Sequence, residues 1–532
     1  MNKRKIKVIA LITAVVILAV SVCAGAASII VQDSLFKTNT PTYMALNSSA
    51  TGIIKNADDY DAYMFEVPAN GALVVRLDHE DYQDNAKTGW QITLYKIIEG
   101  EEKVYKELTY FESFWSDISS SWGETGVTAG TYCVVVKAGT FFVEADYTLS
   151  TMFTETETYE KEPNDTIEDA TPIAVKYGKY GASSRRENGT DDDWYELELL
   201  EDSIVTITFT HNDKTLPVVG WNITLYNDAD KMITQITSRL NETLVKTGIL
   251  GLQSGTYYIK VEAQSEVPDT YTLLVGADKA TNNEFELNDT PETATNLPAD
   301  VIIGGSLADR LLGLDKDYYK FTVPAEGYID FEFEHELLEG DKRGWNIRLL
   351  KPMEDGSYYE IVRKYAMWNN ERMVIENMGL APGDYYVCID GDSVSYTSAY
   401  YTCKWIFTDA ADFEHEPNNT METCDFAEFG KYYHGAIIST DSLYDEDYYK
   451  FELEKDTRIC LEFYHEKGKV NENCWIASVV DENGNEICSV DSYLNDHLVT
   501  TGVVLVPAGT YYVKIETGLY GSEIPYYFRL VR

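Results

Sequence analysis

Positive charge is scarce in this sequence. Among its 532 residues, 43 are Lys or Arg and 88 are Asp or Glu, so the formal net charge at pH 7 is -45. A surface of this sign repels phosphate backbones and anionic lipid head groups. The composition therefore excludes nucleic-acid binding and indicates that cations are the natural partners of the chain.

The motifs of common hydrolases are also missing. No His-Glu-x-x-His zinc-protease motif occurs, and its nearest approach, from His335 to Glu339, lacks the second histidine. No Gly-x-Ser-x-Gly nucleophile turn occurs either. Paired carboxylates could in principle hydrolyse a glycoside, but here such pairs recur along the chain at linkers, which is not how a catalytic cleft is built. We therefore expect no enzymatic activity.

Cysteine is uncommon and follows no pattern. The eight cysteines do not recur at matching positions and form no Cys-x-x-Cys pair, so neither a common disulfide framework nor a zinc site is expected. Cys388 and Cys403 could pair across strands, or they could be buried free thiols. The same alternatives are open for four further cysteines: Cys424, Cys460, Cys474 and Cys488.

Only one long apolar run is present. It extends from Val8 to Val22, follows a basic start and precedes an Ala-x-Ala site, which is the pattern of a secretory signal. We expect residues 1–27 to be a signal peptide cleaved after Ala26 or Ala27, and the protein to be secreted or held at the cell surface. An uncleaved anchor is the alternative, because the run approaches the length of a membrane span.

What the sequence does contain is a repeat of about 125 residues. The segment Glu-x-Glu-x-Asn-(Asp/Asn)-Thr occurs three times, and each copy is followed in the same order by an Asp, a His, a Trp and a Gly-x-Tyr-Tyr. These residues are Asp193, Asp317 and Asp447; His211, His335 and His465; Trp221, Trp345 and Trp475; and Gly255, Gly383 and Gly509. A degenerate first copy carries Asp61, His79, Trp90 and Gly130. The repetition predicts four modules, at 28–153, 154–280, 281–409 and 410–532.

Short runs of alternating apolar and polar residues fill each repeat. Ile329, Phe331, Phe333 and His335 share one face of such a run, and turn residues separate it from the next. This pattern predicts an all-β chain of four tandem antiparallel β-sandwich modules with little helix. Each repeated His and Trp should lie in the core, whereas the second Tyr of Gly-x-Tyr-Tyr should point outward.

The acidic segments of the repeats, residues 160–165, 284–289 and 414–419, present carboxylate and amide oxygens at alternate positions. Alternation along an extended chain places Glu160, Glu162 and Asn164 on one side, and further aspartates arrive just before the first core strand. Such charges repel one another unless a cation neutralises them, and Ca²⁺ takes six to eight oxygen ligands. A solvated acidic linker is the alternative, but it has no reason to keep its register in three repeats. The pattern therefore favours calcium.

The acidic segments, the Asp-x-Tyr block and the Gly-x-Tyr-Tyr strand together resemble the bacterial pre-peptidase C-terminal domain, a family that includes the collagen-binding domains of clostridial collagenases. The resemblance implies jelly-roll-like sandwiches that are secreted with proteases, are usually non-catalytic and hold calcium at the linker. It implies these ligands: Glu160, Glu162, Asn164, Asp165, Asp191 and Asp193; Glu284, Glu286, Asn288, Asp289, Asp315 and Asp317; Glu414, Glu416, Asn418, Asn419, Asp445 and Asp447.

The first repeat departs from this pattern. Ser28 and Ile30 stand where the two glutamates should be, and only Gln32, Asp33, Asp59 and Asp61 remain, so we expect its metal site to be lost or weak. The fourth repeat has Asn419 in place of an Asp, which removes one negative charge. The charge count predicts that the second and third repeats bind calcium more tightly than the fourth, with the first last.

The function that the sequence favours is binding of an extracellular polymer, either a protein fibre or a polysaccharide, or of a cell-surface partner. Linked weak sites gain avidity when the target is itself repetitive, which suits an array of like modules. A calcium-stiffened spacer without a ligand of its own and an accessory module of a secreted protease system are the alternatives.

Overall fold

The structure is a computed structural model that describes residues 40–80, 87–100, 103–116, 121–141, 144–187, 191–264, 269–309, 315–392, 394–438 and 445–532. The expected signal peptide, residues 1–27, lies outside these ranges. Within them, no helix is long and apolar enough to cross a membrane. Regular structure in these ranges consists of 38 β-strands and two single-turn 3₁₀ helices, Ile167–Asp169 and Pro291–Thr293.

The strands form eight sheets that pair into four sandwiches, which confirms the all-β tandem architecture. In the first module the strands are β1 (Thr42–Tyr43), β2 (Ser49–Ile53), β3 (Tyr60–Val67), β4 (Gly71–His79), β5 (Thr88–Ile98), β6 (Val104–Phe114), β7 (Ser121–Val127), β8 (Gly130–Ala138) and β9 (Asp146–Glu155). One sheet has the order β1-β3-β8-β5-β6, and the other has the order β2-β9-β4-β7.

The second module repeats this plan with one strand split in two. Its strands are β10 (Thr171–Ile173), β11 (Lys179–Ser183), β12 (Asp192–Leu199), β13 (Ser203–His211), β14 (Val219–Asn227), β15 (Met232–Arg239), β16 (Leu244–Lys246), β17 (Leu250–Leu252), β18 (Gly255–Ala263) and β19 (Asp269–Lys279). The sheets are β10-β12-β18-β14-β15 and β11-β19-β13-β16, with β17 also paired to β13.

The third module has the undivided form. Its strands are β20 (Thr295–Asn296), β21 (Ile303–Gly305), β22 (Lys316–Val323), β23 (Gly327–His335), β24 (Arg343–Pro352), β25 (Tyr358–Met367), β26 (Arg372–Leu380), β27 (Gly383–Gly391) and β28 (Tyr401–Asp409). The sheets are β20-β22-β27-β24-β25 and β21-β28-β23-β26.

The fourth module again splits the last strand of its second sheet. Its strands are β29 (Asp425–Phe426), β30 (Tyr432–Gly435), β31 (Glu446–Leu453), β32 (Thr457–His465), β33 (Asn473–Asp481), β34 (Glu486–Tyr493), β35 (Leu498–Thr500), β36 (Val504–Val506), β37 (Gly509–Thr517) and β38 (Tyr526–Val531). The sheets are β29-β31-β37-β33-β34 and β30-β38-β32-β35, with β36 on β32. Among the named strands, the pairings are antiparallel except that of the short first edge strand of each module, such as β1 with β3.

The repeated histidine and tryptophan belong to the core, as the alternation predicts. Trp221 is 1% exposed, and the imidazole of His211 packs against it at a tilt, with ring centroids 4.4 Å apart. The imidazole is satisfied locally, because its Nδ1 lies 2.8 Å from the carbonyl oxygen of Asn212 and its Nε2 lies 3.0 Å from Ser238 Oγ. In Gly-x-Tyr-Tyr the first tyrosine is buried and the second, Tyr258, is half-buried on the outer side. The repeated histidine and tryptophan are therefore structural.

The seven described cysteines are free thiols. Of the two alternatives, disulfide or free thiol, the structure has the second. Cys388 lies on β27 and Cys403 on β28, in different sheets of the third sandwich. Cys403 belongs to the core, whereas the Cys388 sulfur lies 3.0 Å from Arg348 Nη2. The cross-strand pairing is therefore not formed.

Candidate metal centres

Each acidic segment runs as an extended chain beside the sandwich that follows it. In the second module, Glu160 donates its backbone N–H to the carbonyl oxygen of Tyr180 at 2.8 Å, which holds the segment against β11. The side chains of Glu160, Glu162 and Asn164 are buried, whereas those of Lys161 and Pro163 between them are half-exposed. The expected one-sided arrangement is therefore present, and it faces the protein rather than the solvent.

The later aspartates meet the same segment from the other side. Asp191 and Asp193 are 1% and 0% exposed, and Trp194, next to Asp193 on β12, donates its N–H to the Asn164 carbonyl at 2.9 Å. The backbone N–H of Ser184 donates to Asp191 Oδ2 at 2.6 Å. The third and fourth modules have the equivalent bonds from Tyr318 to Asn288, Tyr448 to Asn418, Ala308 to Asp315 and Ile438 to Asp445. Residues far apart in sequence thus form one cluster in each module.

Fourteen of the eighteen sequence-predicted residues are buried. Four are half-buried at the rim: Asp165, Glu286, Asp289 and Asn419. Candidate ligand atoms approach within 4.8 Å of one another in four groups: Glu160, Glu162 and Asp193; Glu162, Asp165 and Asp191; Glu286, Asp315 and Asp317; and Glu414, Glu416 and Asp447. Among the described residues, two such groups occur in the second module alone, and they share Glu162.

A tyrosine pair lies beneath each cluster. Tyr195 and Tyr271 bring their hydroxyls within 2.7 Å, and Tyr195 donates to Glu160 Oε2 at 3.0 Å while Tyr271 donates to Asp193 Oδ2 at 2.5 Å. The same arrangement recurs with Tyr319 and Tyr401, and with Tyr449 and Tyr526. The sequence repeat contained these tyrosines without revealing their role, because the two partners are about 80 residues apart.

Certain oxygens of the clusters are buried and have no hydrogen-bond partner among the described residues. They recur at matching positions: Glu162 Oε1, Asn164 Oδ1 and Asp193 Oδ1; Asn288 Oδ1 and Asp317 Oδ1; Glu416 Oε1, Asn418 Oδ1 and Asp447 Oδ1. All of them are acceptors. A buried acceptor without a donor costs about 1–3 kcal/mol, so its repetition at three equivalent sites requires an explanation.

Burial also makes the ionised form of these carboxyls unfavourable. It raises the pKa of Glu160 to about 8, with the charge of Asp191 adding to the effect. The pKa of Glu284 rises to about 7 and that of Glu414 to about 8 for the same primary reason. Burial raises the pKa of Asp193 well above its usual range, and the neighbouring Glu160 and Asp191 raise it further. Each cluster therefore holds negative charge only at a cost, unless a cation compensates it.

Arg186 enters the cluster of the second module, and sequence reasoning missed it. Its guanidinium pairs with Asp191, with Asp165 at 2.7 Å and with Glu162 at 3.6 Å. Its side chain is 11% exposed. An arginine that follows another arginine in a polar stretch carries no local signal of burial, and only the fold brings it against the acidic segment.

The first module keeps part of the arrangement. Tyr147 donates to Asp61 Oδ2 at 2.6 Å, and its hydroxyl lies 2.9 Å from that of Tyr63. Among the described residues of this module, no group of three candidate ligands comes together. Ser28, Ile30, Gln32 and Asp33 lie outside the described ranges.

Each acidic segment also packs on the module before it. A Cβ atom at Gly126, Gly251 or Gly379 would overlap the carbonyl oxygen of Glu160, Glu284 or Glu414, respectively, so glycine is needed for this close approach. We call these three residues the junction glycines. Glu286 and Glu416 also donate their N–H groups to the carbonyl oxygens of Gly251 and Gly379, at 2.9 and 3.0 Å. In the fourth module the matching residue on β36 is Leu505, which is 66% exposed.

A second feature distinguishes the fourth module, on the outer face of its sheet β30-β38-β32-β35. Tyr464 and Tyr527 are cross-strand partners whose rings stack 4.8 Å apart, and Tyr432 and His434 on β30 contact Tyr527. Leu498 pairs with Tyr464 on the other side and is 47% exposed. We call these five residues the aromatic patch. Arg529 stacks on Tyr432 and pairs with Glu462, which places a neutral ion pair beside the patch.

The other modules lack aromatics at the positions of the stacked pair. The residues that match the pair of Tyr464 and Tyr527 are Asp78 and Thr148 in the first module, Thr210 and Thr272 in the second, and Glu334 and Thr402 in the third. The aromatic patch is therefore a property of one module and not of the repeat.

Comparisons with known proteins add little beyond these observations. No family model matches the chain. Among solved structures, the chain is similar to the pre-peptidase C-terminal domain of the Bacillus anthracis collagenase, at 16% identity over 22% of this chain and 98% of that one, with a TM-score of 0.18. It is also similar to the tandem CBM22 domains of Xyn10C from Paenibacillus barcinonensis, at 9% identity over 43% and 91%, with a TM-score of 0.18. A third is the glycosylasparaginase PNGase F from Flavobacterium meningosepticum, at 10% identity over 43% and 96%, with a TM-score of 0.18.

Proposed function

We propose that the protein is a secreted or cell-surface, non-catalytic array of calcium-binding β-sandwich modules that binds an extracellular polymer. The basic and apolar pattern of residues 1–27 supports export. The absence of hydrolase motifs from the sequence, together with the repetition of the carboxylate clusters, supports a binding role rather than catalysis.

The observation that carries the calcium proposal is the set of orphaned acceptor oxygens. The second glutamate, the asparagine and the last aspartate direct carboxylate and amide oxygens into one buried space, and these are the hard ligands that Ca²⁺ prefers. In the second module, Glu160, Glu162, Asn164 and Asp193 would hold the ion, and the tyrosine pair orients Glu160 and Asp193. Bound calcium would supply positive charge that makes ionisation of these groups favourable.

The position of the clusters supports a mechanical role for calcium. Each acidic segment lies between two sandwiches and is packed on a junction glycine of the preceding one. An ion that fixes the segment to its own sandwich therefore also fixes the path of the chain from one module to the next. We expect calcium to stiffen the junctions of the array.

Calorimetric titration and thermal unfolding of the full chain, with calcium and with chelator, test this proposal. A ligand that binds the folded form alone raises the unfolding temperature in a concentration-dependent way. Magnesium is the matched control, because its small shell and octahedral geometry fit a protein cage of several carboxylates poorly. An unfolding temperature that calcium leaves unchanged would contradict the calcium proposal.

The aromatic patch is the surface that best supports polymer binding. It combines the exposed ring of Tyr432, the half-buried stacked rings of Tyr464 and Tyr527, and the neutral pair of Arg529 and Glu462 on the outer face of a sheet. Aromatic side chains supply large contact area at low entropic cost, and clustered exposed aromatics mark interaction surfaces. A neutral patch on a chain of net charge -45 favours a polymer that is recognised by contact rather than by charge.

Pull-down of the full chain on collagen, cell-wall polysaccharide and plant polysaccharide tests the patch. We expect the double variant Tyr464→Ser, Tyr527→Ser to lose about tenfold or more in affinity for the polymer that the native chain retains. The matched control is Tyr177→Ser, Tyr180→Ser, which removes two exposed tyrosines from the second module. If the folded native chain retains none of the polymers, the spacer or accessory function replaces the binding function.

A further inference from the structure

The guanidinium of Arg186 lies in one of the two carboxylate groups of the second module. Its pairing partners, Glu162, Asp165 and Asp191, are the members of the second group. The orphaned oxygens belong to the other group and its neighbour Asn164. Two adjacent cation positions thus share Glu162, and the chain itself fills one of them.

The burial of this arginine identifies it as part of the site rather than a surface ion pair. The carboxylates of Glu162 and Asp191 are 0% exposed as side chains, and the arginine beside them is 11% exposed. A planar guanidinium can satisfy several carboxylate oxygens at once and keeps its charge at any physiological pH. It supplies without metal part of the compensation that a divalent ion would otherwise supply.

The same arginine is tied to the first module. Its Nη1 donates to the carbonyl oxygen of Glu107 on β6 at 3.3 Å, and the next residue, Glu187, donates its N–H to Glu107 Oε1 at 2.6 Å. The preceding residue, Arg185, accepts the N–H of Tyr110 at 2.7 Å. Residues 185–187 therefore join the acidic cluster of the second module directly to the first sandwich.

We propose that Arg186 is a built-in cation that takes the second ion position of the second module, so that this module binds one calcium ion and its junction to the first module holds without metal. The proposal rests on the proposed calcium function. The charge count that ranks the second repeat among the tightest sites omits this internal positive charge. The residue five before the aspartate is Arg310 in the third repeat and Thr440 in the fourth, and both lie outside the described residues.

The test is calcium titration of the full chain by calorimetry for the native protein and for Arg186→Ala, Arg186→Lys and Arg239→Ala. Arg239 is the matched control, because it is an exposed arginine of the same module that contacts the Pro217 carbonyl. We expect Arg186→Ala to bind one more calcium ion per chain than the native protein. Arg186→Lys, which retains the charge, and Arg239→Ala should bind the native number.

Thermal unfolding supplies a second measurement. Without metal, Arg186→Ala should unfold at a lower temperature than the native chain, and calcium should restore most of the loss, since the ion takes the vacated position. Failure of calcium to restore the fold would overturn the proposal. An unchanged stoichiometry would also overturn it while leaving calcium binding intact, whereas absence of calcium binding by the native chain would overturn the proposed function itself.

Discussion

Asp447 and Asp61 occupy matching positions of two modules, and each accepts a hydrogen bond from the matching tyrosine, but their surroundings differ. Tyr526 donates to Asp447 and Tyr147 donates to Asp61, but the two glutamates are present beside Asp447 alone. We expect Asp447→Asn to weaken calcium binding by the fourth module about tenfold or more, because it removes a charged ligand. Asp61→Asn should leave the calorimetric titration of the full chain unchanged. Equal effects of the two substitutions would show that the ligand assignment is wrong.

The pH dependence of stability follows from the raised pKa values. Glu414 has a folded pKa of about 8, above its usual value of 4.5, so the folded state retains a proton that the unfolded state loses. The associated stability is fully present below pH 4.5 and is lost as the pH rises through about 8. We expect the metal-free chain to unfold at lower temperature at pH 8 than at pH 5.5, and Glu414→Gln to reduce this difference. A Glu414→Gln chain with the native pH dependence would contradict the assignment.

At the level of single residues, the sequence predicted the direction of a side chain where the residue belongs both to a repeated motif and to a local alternation. The alternation of Glu160, Glu162 and Asn164 predicted their common direction, and the structure confirms it. Arg186 and the tyrosine pairs could not be assigned in this way, since their partners are distant in the chain and no local pattern marks them. Whether the clusters bind calcium stays a prediction.

Among the elements, strand β26 contacts the acidic segment of the next module. Gly379 on β26 leaves room for the carbonyl oxygen of Glu414, which a Cβ atom would overlap. We expect Gly379→Ala to destabilise the junction of the third and fourth modules by about 1–3 kcal/mol, a typical cost of overpacking. Gly521→Ala is the control, because its nearest neighbour would be Thr517 Cγ2 at 3.7 Å. Thermal unfolding of the two variants measures the difference, and equal unfolding temperatures would contradict the role of the glycine.

The type of each element could be predicted, but the contacts between modules could not. Alternation of apolar residues gave strands such as β23, because one face of a sheet is buried in a sandwich. The cores, however, do not stop at the predicted borders: Ala436 and Ile438 pack with the core of the third module, and Ala308 packs with that of the second. The borders of the four modules stay predictions, since a hydrophobic pattern does not state which sandwich buries a given residue.

For the whole molecule, the proposed calcium sites and Arg186 predict two kinds of junction. Residues 185–187 join the second module to the first by hydrogen bonds that need no metal. At the junction of the third and fourth modules, calcium would reinforce the Lys364–Glu523 ion pair and the bond from Glu416 to Gly379. We expect limited proteolysis in chelator to cleave the full chain near residues 410–413 before it cleaves near residues 154–159. Calcium should protect the former. Cleavage in the reverse order would contradict this division.

The junction glycines give the array a polarity. Each junction, or joint, between modules is heterologous: an acidic segment of one module contacts a glycine of the module before it. Head-to-tail joints of this kind form filaments when both halves remain available at the ends. Here the first repeat has Ser28 and Ile30 in place of the glutamates, and the fourth module has Leu505 in place of the glycine. The fourth module therefore lacks the glycine half of the joint, whereas Ser28 and Ile30 lie outside the described residues. Sedimentation of the full chain in calcium should show a monomer at every concentration, because the fourth module offers no junction glycine to the acidic segment of a second chain.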